Sequence, residues 1–562
     1  MRASPSNSLV ASLSSDSAFR VALVGIVLLA AMVRLHQLGA DDLWTDETFS
    51  GFLALTPEWV SYLRIDNTPP LYYLVLRLWC GVASCGELGL RLPSALAGVA
   101  FVALVGVFFK QAFGRGAALA VALIAALSPV HVYYSQEARV YSILLTTLLL
   151  FLFLQWRVIH RKATTTHFVL LFITGVCALY LHYLSAIAIG AYALVCLVEK
   201  ASGYRDIPGR YFVAVAAAFA CFVPWALAGL LGSGSSSSEL AWIAEYFEDK
   251  PLWQLPLRTL TTFLTGPELY YNEINLFLKR HADMDMPAVA RAASALLTFL
   301  VLVLCLAVFG GFRGLSGDRR RALLESAAFV ILPLLGLAVA SLVVAPVYVA
   351  GRYDLIAFPG FLMLGGTIAG MAFDRAGALA RPGAGAALGV LLVALVGAQA
   401  YKLINHRLTP PHSETVAAET AAAAGRLGDG DGLLVARQQA AQVWYYLHRL
   451  GYARVGGACI GPGKRFTCRL FPRDMEQAPA SQERFTRMYD SPTPSFDIGY
   501  FVDDLAGDSN VVLMLDSVAY ADRNLTIDRI AGGLMTSLLD AGWELQDIAS
   551  DQNFLVFGGG ER

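Results

Sequence analysis

From about Phe19 to Ile404 the chain is a succession of apolar runs separated by short polar punctuation, whereas Asn405 to Arg562 alternates like an ordinary soluble sequence. Runs of this length predict membrane-spanning helices, each needing about 20 residues to cross the hydrocarbon core. Candidate spans fall at 19–38, 92–113, 116–134, 140–156, 167–182, 184–198, 211–231, 289–311, 323–346, 355–373 and 384–403, about eleven in all. The stretch 167–198 reads either as one long helix or as two short ones, and the distribution of cations decides between them. With two helices, Lys110, Arg115, Arg157, Arg161, Lys162, Lys200, Arg205, Arg210, Arg313, the triplet Arg319 to Arg321, Arg375 and Arg381 all fall on one side. That side is then cytoplasmic, the N-terminal segment 1–18 lies with it, and the tail 404–562 is extracytoplasmic. Pro69 to Ser84 is too short for a confident span and reads as a helix lying in the outer interface, with Tyr72, Tyr73 and Trp79 at headgroup level.

The tail predicts a small α/β domain: a strand at Leu433 to Val435, a helix from Ala440 to Leu450, a strand at Val511 to Leu515, a helix at Ile530 to Ala541 and a strand at Phe554 to Phe557. The expected class is therefore a mainly α, polytopic transmembrane protein, with a multi-span domain over 19–403 and an extracytoplasmic α/β domain after it. Ala18 to Val33 ends at Arg34 without a small-residue cleavage site and reads as an uncleaved first span.

Composition sharpens this. Of 562 residues, 56% are hydrophobic and only 15% charged, against about a quarter charged in a soluble domain. The net charge of −1 gives no basic footprint, so nucleic acid is excluded as a partner. Among 8 cysteines, Cys177, Cys196, Cys221 and Cys305 lie in spans, where they act as small apolar residues. Cys459 and Cys468 flank the turn-like Gly461-Pro462-Gly463-Lys464 and are candidates for a disulfide in an oxidising compartment.

The predicted topology collects the unusual polar residues at the outer face. There lie Asp41-Asp42-Leu43-Trp44-Thr45-Asp46-Glu47, Asp66 to Pro70, Ser135-Gln136-Glu137-Ala138-Arg139, His182-Tyr183 and Gly351-Arg352-Tyr353-Asp354. Taken singly each has an ordinary reading: Arg139 or Arg352 as an interfacial anchor, His182 as a packed histidine, Tyr133 and Tyr134 as aromatic-belt residues. Arg352 also has Asp354 as a structural partner within reach of its own loop. Together, acids from two loops and cations from two others are what an anionic, membrane-borne substrate requires, because phosphate needs Arg or Lys and a hydroxyl proton needs a carboxylate.

Leu43-Trp44-Thr45-Asp46-Glu47-Thr48, then Thr68-Pro69-Pro70-Leu71-Tyr72-Tyr73 and Arg91-Leu92-Pro93-Ser94, resemble the membrane-embedded GT-C glycosyltransferases. The string is more closely similar to the bacterial relatives of protein O-mannosyltransferases and of the lipid A aminoarabinose and galacturonic acid transferases. Ser128-Pro129 and Ser135 to Ser142 match a second signature, while Leu181-His182-Tyr183 and Gly351-Arg352-Tyr353 match weaker ones. The aminoarabinose transferases carry a Lys just before the Pro pair, where this chain has Asn67-Thr68.

The resemblance implies transfer of a sugar from a polyprenyl-phosphate carrier, with inversion, to a lipid, glycan or protein acceptor outside the cytoplasmic membrane. Carried over, the catalytic acids are Asp46, Glu47 and Glu137, with Asp46 the first choice of base. Arg139, His182, Tyr183, Arg352 and Tyr353 are candidates for the donor phosphate and sugar. No nucleotide fingerprint, cofactor or His/Cys metal-ligand set is visible, and no metal is assigned. The rival class is a transporter or flippase of lipid-linked glycans, but no internal repeat of the kind such proteins often carry is found. The loop Gly232 to Pro287 reads equally as a lid or a connector, and Asp503-Asp504 as a sugar contact or solvated surface.

Overall fold

The computed structural model describes residues 16–57, 59–63, 69–232, 252–266, 316–344, 347–376, 416–436, 440–455, 458–471, 510–514, 543–549 and 554–559, with 397 and 539. The spans expected at 289–311 and, but for residue 397, 384–403, most of the loop 232–287, Asp503-Asp504 and, but for residue 539, the helix expected at 530–541 lie outside the described residues. Two compact units form, one of residues 1–38 with 58–410, the other of residues 39–57 with 411–562.

In chain order the helices begin with α1 (Asp16–Leu35), α2 (Thr45–Leu55), α3 (Trp59–Tyr62), α4 (Leu71–Cys80), α5 (Glu87–Phe113) and α6 (Arg115–Leu127). They continue with α7 (Pro129–Ser135), α8 (Tyr141–His160), α9 (Thr165–Leu181), α10 (Ser185–Ala201) and α11 (Gly209–Gly232). Then come α12 (Leu255–Thr265), α13 (Gly317–Val343), α14 (Phe358–Ala376), α15 (Val416–Arg426) and α16 (Ala440–Arg449). Of these, α2, α15 and α16 belong to the second unit.

Among the described residues, 6 helical stretches are long and apolar enough to cross a membrane: Asp16–Leu35, Glu87–Phe113, Tyr141–His160, Gly209–Ala228, Gly317–Val343 and Tyr353–Met371. The protein is a multi-pass membrane protein. The stretch expected as one span at 116–134 is instead broken, α6 and α7 meeting at 58°. Pro129 is the cause: it offers no N–H to the preceding turn and pushes Ser128 (φ −58, ψ 115) out of the helical region. The two-helix reading of 167–198 corresponds to α9 and α10, separated at His182 to Leu184. A helix also forms at Leu71–Cys80, inside the segment expected to lie in the interface. A disulfide joins Cys80 to Cys85 across the short link from α4 to α5, with Cα atoms 5.2 Å apart.

The second unit is built on a 7-stranded sheet in the order β2-β3-β4-β1-β5-β7-β6, from β1 (Gly432–Ala436), β2 (Ala453–Val455), β3 (Ala458–Gly461), β4 (Lys464–Phe471), β5 (Asn510–Met514), β6 (Trp543–Ala549) and β7 (Phe554–Gly559). Its centre is parallel, β1 lying between β4 and β5 in register Leu433↔Cys468 and Leu433↔Val512. The edges are antiparallel. β1 is apolar throughout, as a strand covered on both faces must be. The Pro462-Gly463 turn, with Gly463 at φ 72, closes the β3–β4 hairpin and brings Cys459 and Cys468 into a disulfide with Cα atoms 5.8 Å apart.

Candidate active site

The segment 136–140, carrying Glu137 and Arg139, is short and irregular, so its position depends on what grips its ends. The break at Pro129 leaves the last carbonyls of α6 without helical donors. Arg34, fully buried at the end of α1, supplies them: Nη1 donates to Ala126 O (2.9 Å) and Nη2 to Ala125 O (3.1 Å). A cation at a helix C-terminus is also favoured by the aligned peptide dipoles. The same guanidinium donates to Ser135 Oγ (3.2 Å) and to His131 Nδ1 (2.7 Å). Because a guanidinium only donates, His131 must carry its proton on Nε2. That ring packs beside Phe101 (centroids 4.3 Å) and Phe358 (6.0 Å), which also lie 6.1 Å from each other.

Further hydrogen bonds fix both ends of the segment. Gln136 Nε2 donates to the carbonyls of Val33, Arg34 and His36 at the end of α1. On the other side, Ser94 Oγ donates to Arg139 O (3.1 Å) and Ser142 Oγ to Ser94 O (2.7 Å). Gly98 is required beneath this network, since a Cβ there would collide with Ser135 Oγ and come within 2.9 Å of Arg34 Nε.

Around this frame, Tyr134 stands edge-on to Tyr133 and packs on Tyr141, whose ring lies 6.2 Å from His182. His182 in turn meets Tyr353 at 5.6 Å. Arg352 donates from Nε to Tyr141 OH (2.8 Å) and lies over the Tyr141 and Tyr353 rings. His182 is within electrostatic reach of both Arg352 and Arg139, and Tyr134 within reach of Glu137 and Arg352. Glu137, Arg139 and His182 are buried, while Arg352 and Tyr353 are half-buried.

Asp354 is fully buried, accepting from Thr259 Oγ1 (2.5 Å) and from Gly351 N (2.9 Å). Gly351 adopts φ 82, a left-handed turn that glycine takes without strain. Thr259 also bonds Tyr348 OH (2.9 Å), and Tyr134 OH donates to Gly351 O. The carboxylate thus holds the backbone of the turn that presents Arg352, whose guanidinium is directed to Tyr141.

The acid pair stands on α2, in the second unit. Glu47 is fully buried and its Oε2 accepts from Trp44 N (3.4 Å), closing the open N-terminus of the helix. Asp46 is half-exposed in the first turn, where the helix dipole favours a negative charge, and its carbonyl accepts from Ser50 Oγ (2.9 Å). The two acids therefore differ: Glu47 has a capping task, whereas Asp46 keeps an accessible face.

In the first unit the structure brings together Glu137, Arg139, His182, Arg352 and Tyr353. Tyr183 turns to other neighbours, accepting from Trp225 Nε1 (2.9 Å) and packing on Phe222. Asp46 and Glu47 belong to the other unit. Residues given no site role from the sequence are Arg34, Thr259 and, though inside the quoted motifs, Ser94 and Tyr141. The signal for Arg34 was its place at the end of the first apolar run, but nothing local distinguished a buried cation from an interfacial one. Among the described residues no group of three or more His, Cys, Asp or Glu is arranged to hold a metal ion. Chemically, the first-unit cluster offers two guanidinium groups and one carboxylate within an aromatic wall, a combination suited to an anionic group attached to an apolar or sugar moiety.

The architecture is the GT-C fold of membrane glycosyltransferases. It is similar to ArnT from Cupriavidus metallidurans in the apo state, with a TM-score of 0.53 and 14% identity, covering 95% of this chain and 97% of that one. The same enzyme bound to undecaprenyl phosphate matches with a TM-score of 0.52 and 14% identity over 97% of this chain and 98% of that one. Residues 67–227 match the family described as dolichyl-phosphate-mannose-protein mannosyltransferase. A Bacillus subtilis (strain 168) protein named "Putative mannosyltransferase YycA" is 29% identical over 142 residues. That match takes in 24% of this chain and 21% of the relative's length.

Proposed function

We propose that this protein is an inverting glycosyltransferase that moves a sugar from a polyprenyl-phosphate carrier to an acceptor hydroxyl at the outer face of the cytoplasmic membrane. The observation that carries the reading is the pair Arg139 and Arg352, both within electrostatic reach of His182, with Arg352 over the Tyr141 and Tyr353 rings and Glu137 within reach of Tyr134. The undecaprenyl phosphate bound by the ArnT of the same fold supports a lipid phosphate as the anion those cations serve.

The chemistry is a single displacement. Asp46 accepts the acceptor's hydroxyl proton as the new bond forms between that oxygen and the anomeric carbon. The bond from the anomeric carbon to the phosphate oxygen breaks on the opposite side, inverting the configuration and releasing polyprenyl phosphate. Arg139 and Arg352 stabilise the charge gathering on the phosphate. Glu137 orients donor or acceptor hydroxyls, and His182 with Tyr353 lines the donor's path. The acceptor is a lipid, a glycan or a protein.

The outer location is supported by the two disulfides, Cys80–Cys85 and Cys459–Cys468, since such bonds persist in oxidising compartments. It is supported again by the cationic cluster expected on the other side, where Arg205 bridges Glu199 (2.9 Å) and Glu325 (3.2 Å) and Arg321 stacks on Tyr204. Detergent-purified protein given a polyprenyl-phosphate-linked sugar and an acceptor extract should release free polyprenyl phosphate. Movement of intact sugar-lipid between leaflets of a vesicle, without release, would instead make it a transporter.

A further inference from the structure

The segment bearing the acid pair is gripped by the chain's C-terminal portion, and the grip is made of specific polar contacts. Asp42 Oδ2 accepts from Ala417 N (3.1 Å), so a residue 375 positions away acts as the N-terminal cap of α15. One residue on, Leu43 is buried and its N–H donates to Tyr446 OH (3.0 Å) on α16. The helix that follows, α2, packs against α16, which is buried from Val443 to Leu447. Tyr446 is itself fixed edge-on to Tyr445 at 5.0 Å. Leu53 and Ala54 are buried at the far end of α2. Both ends of the acid-bearing helix are therefore packed, and its entry is pinned at two consecutive residues immediately before Trp44.

We infer that α15 and α16 of the C-terminal unit serve as the positioning element for Asp46, with Asp42 and Tyr446 as positioning residues for the transfer reaction. This rests on the reading of Asp46 as base. The physical argument is that a general base must stay within hydrogen-bond reach of its proton, and a displacement of about 1 Å costs roughly 10²-fold. The nine-residue link 36–44 into a short helix does not hold a carboxylate to that tolerance by itself. The contacts from Ala417 and Tyr446 supply the missing constraint. The role assigned to the C-terminal unit is thus to aim a catalytic group, in place of, or besides, binding an acceptor.

The test uses the full-length protein in detergent with Tyr446→Phe, Asp42→Ala and Asp42→Asn. Amide hydrogen exchange of residues 43–55 is followed alongside turnover with a polyprenyl-phosphate sugar. Tyr446→Phe leaves the buried Leu43 N–H without its acceptor, so exchange across 43–55 should rise while α5 and α8 stay protected. Turnover should fall about tenfold or more, with the concentrations of donor and acceptor giving half-maximal rate nearly unchanged. Asp42→Ala should behave alike, and Asp42→Asn, which keeps a capping oxygen, should restore most of the loss. Unaltered exchange at 43–55 in Tyr446→Phe overturns the grip. Raised exchange with full turnover overturns its role in catalysis, as does a loss confined to the acceptor's half-maximal concentration. Full turnover of Asp46→Asn is a separate result: it removes the base assignment while the exchange data still judge the grip.

Discussion

The segment 136–140 in the first unit and the helix α2 in the second each carry candidate acids, and they are held in different ways. Segment 136–140 is fixed from within the membrane unit, by Arg34, Ser94 and Gln136 acting on backbone and hydroxyl groups of neighbouring helices. Helix α2 is fixed within the second unit, through Asp42 and Tyr446. The first arrangement resists change because its polar groups are buried, where an unpaired donor or acceptor costs about 1–3 kcal/mol. The second is buried too, at Leu43, Glu47 and Leu53, but the entry to its helix rests on two hydrogen bonds to α15 and α16. Glu137 and Arg139 are thus held by helices of their own membrane-spanning unit, while the proposed base Asp46 stands on a helix whose entry is held by α15 and α16.

This contrast orders the expected effects. Arg34→Leu should be the most damaging change, since it strips the carbonyls of Ala125 and Ala126, Ser135 and His131 of one shared donor. Bonds to charged groups contribute about 1.5–3 kcal/mol each, so membrane abundance and thermal stability should collapse; near-normal abundance would show that the frame does not depend on Arg34. Glu137→Gln should leave abundance intact and lower turnover about tenfold to a hundredfold, part of it as a higher substrate requirement. Titrating donor and acceptor separately reads out which it orients. Arg352→Lys keeps the charge but loses the planar fork, and a several-fold loss, recoverable at high donor concentration, is expected from saturation kinetics. A loss that donor cannot recover would place Arg352 away from the phosphate. Cys459→Ser should have the smallest effect on catalysis, costing about 2–3 kcal/mol in the sheet and read as a lower unfolding midpoint with turnover per folded molecule preserved.

Much of the membrane unit was legible because its signals are local. The break between α9 and α10 followed from the distribution of cations among the loops, and Pro129 marks the bend that the span 116–134 conceals. The candidate cluster around Glu137, Arg139, His182 and Arg352 was legible as residue types, though its walls were not. Tyr141 and Thr259 acquire their roles only when α8, α12 and the turn at Gly351 are brought together by the fold. The membership of α2 was illegible for the same reason: Leu43 and Tyr446 are 403 residues apart, and no periodicity reports such a pairing. The sheet shows the complementary case. Apolar β1 and the turn at Pro462-Gly463 were readable, but β2 and β6, at the two edges, carry no alternation strong enough to announce themselves. Cys80 and Cys85 bracket Gly81 to Ser84, a short link between two helices, and that spacing was an available sign of the bond that was missed.

The central claim is that Asp46 accepts a proton during sugar transfer from a lipid phosphate, and one substitution addresses it directly. Asp46→Asn keeps the size and most hydrogen bonding of the side chain but cannot take up a proton at neutral pH. Wild type and variant, purified alike and matched for unfolding temperature, should be given the same polyprenyl-phosphate sugar and acceptor while free polyprenyl phosphate is measured over time. The account predicts ~10²–10⁴-fold slower release from the variant. Equal release from well-folded Asp46→Asn protein would contradict it and remove Asp46 from the mechanism.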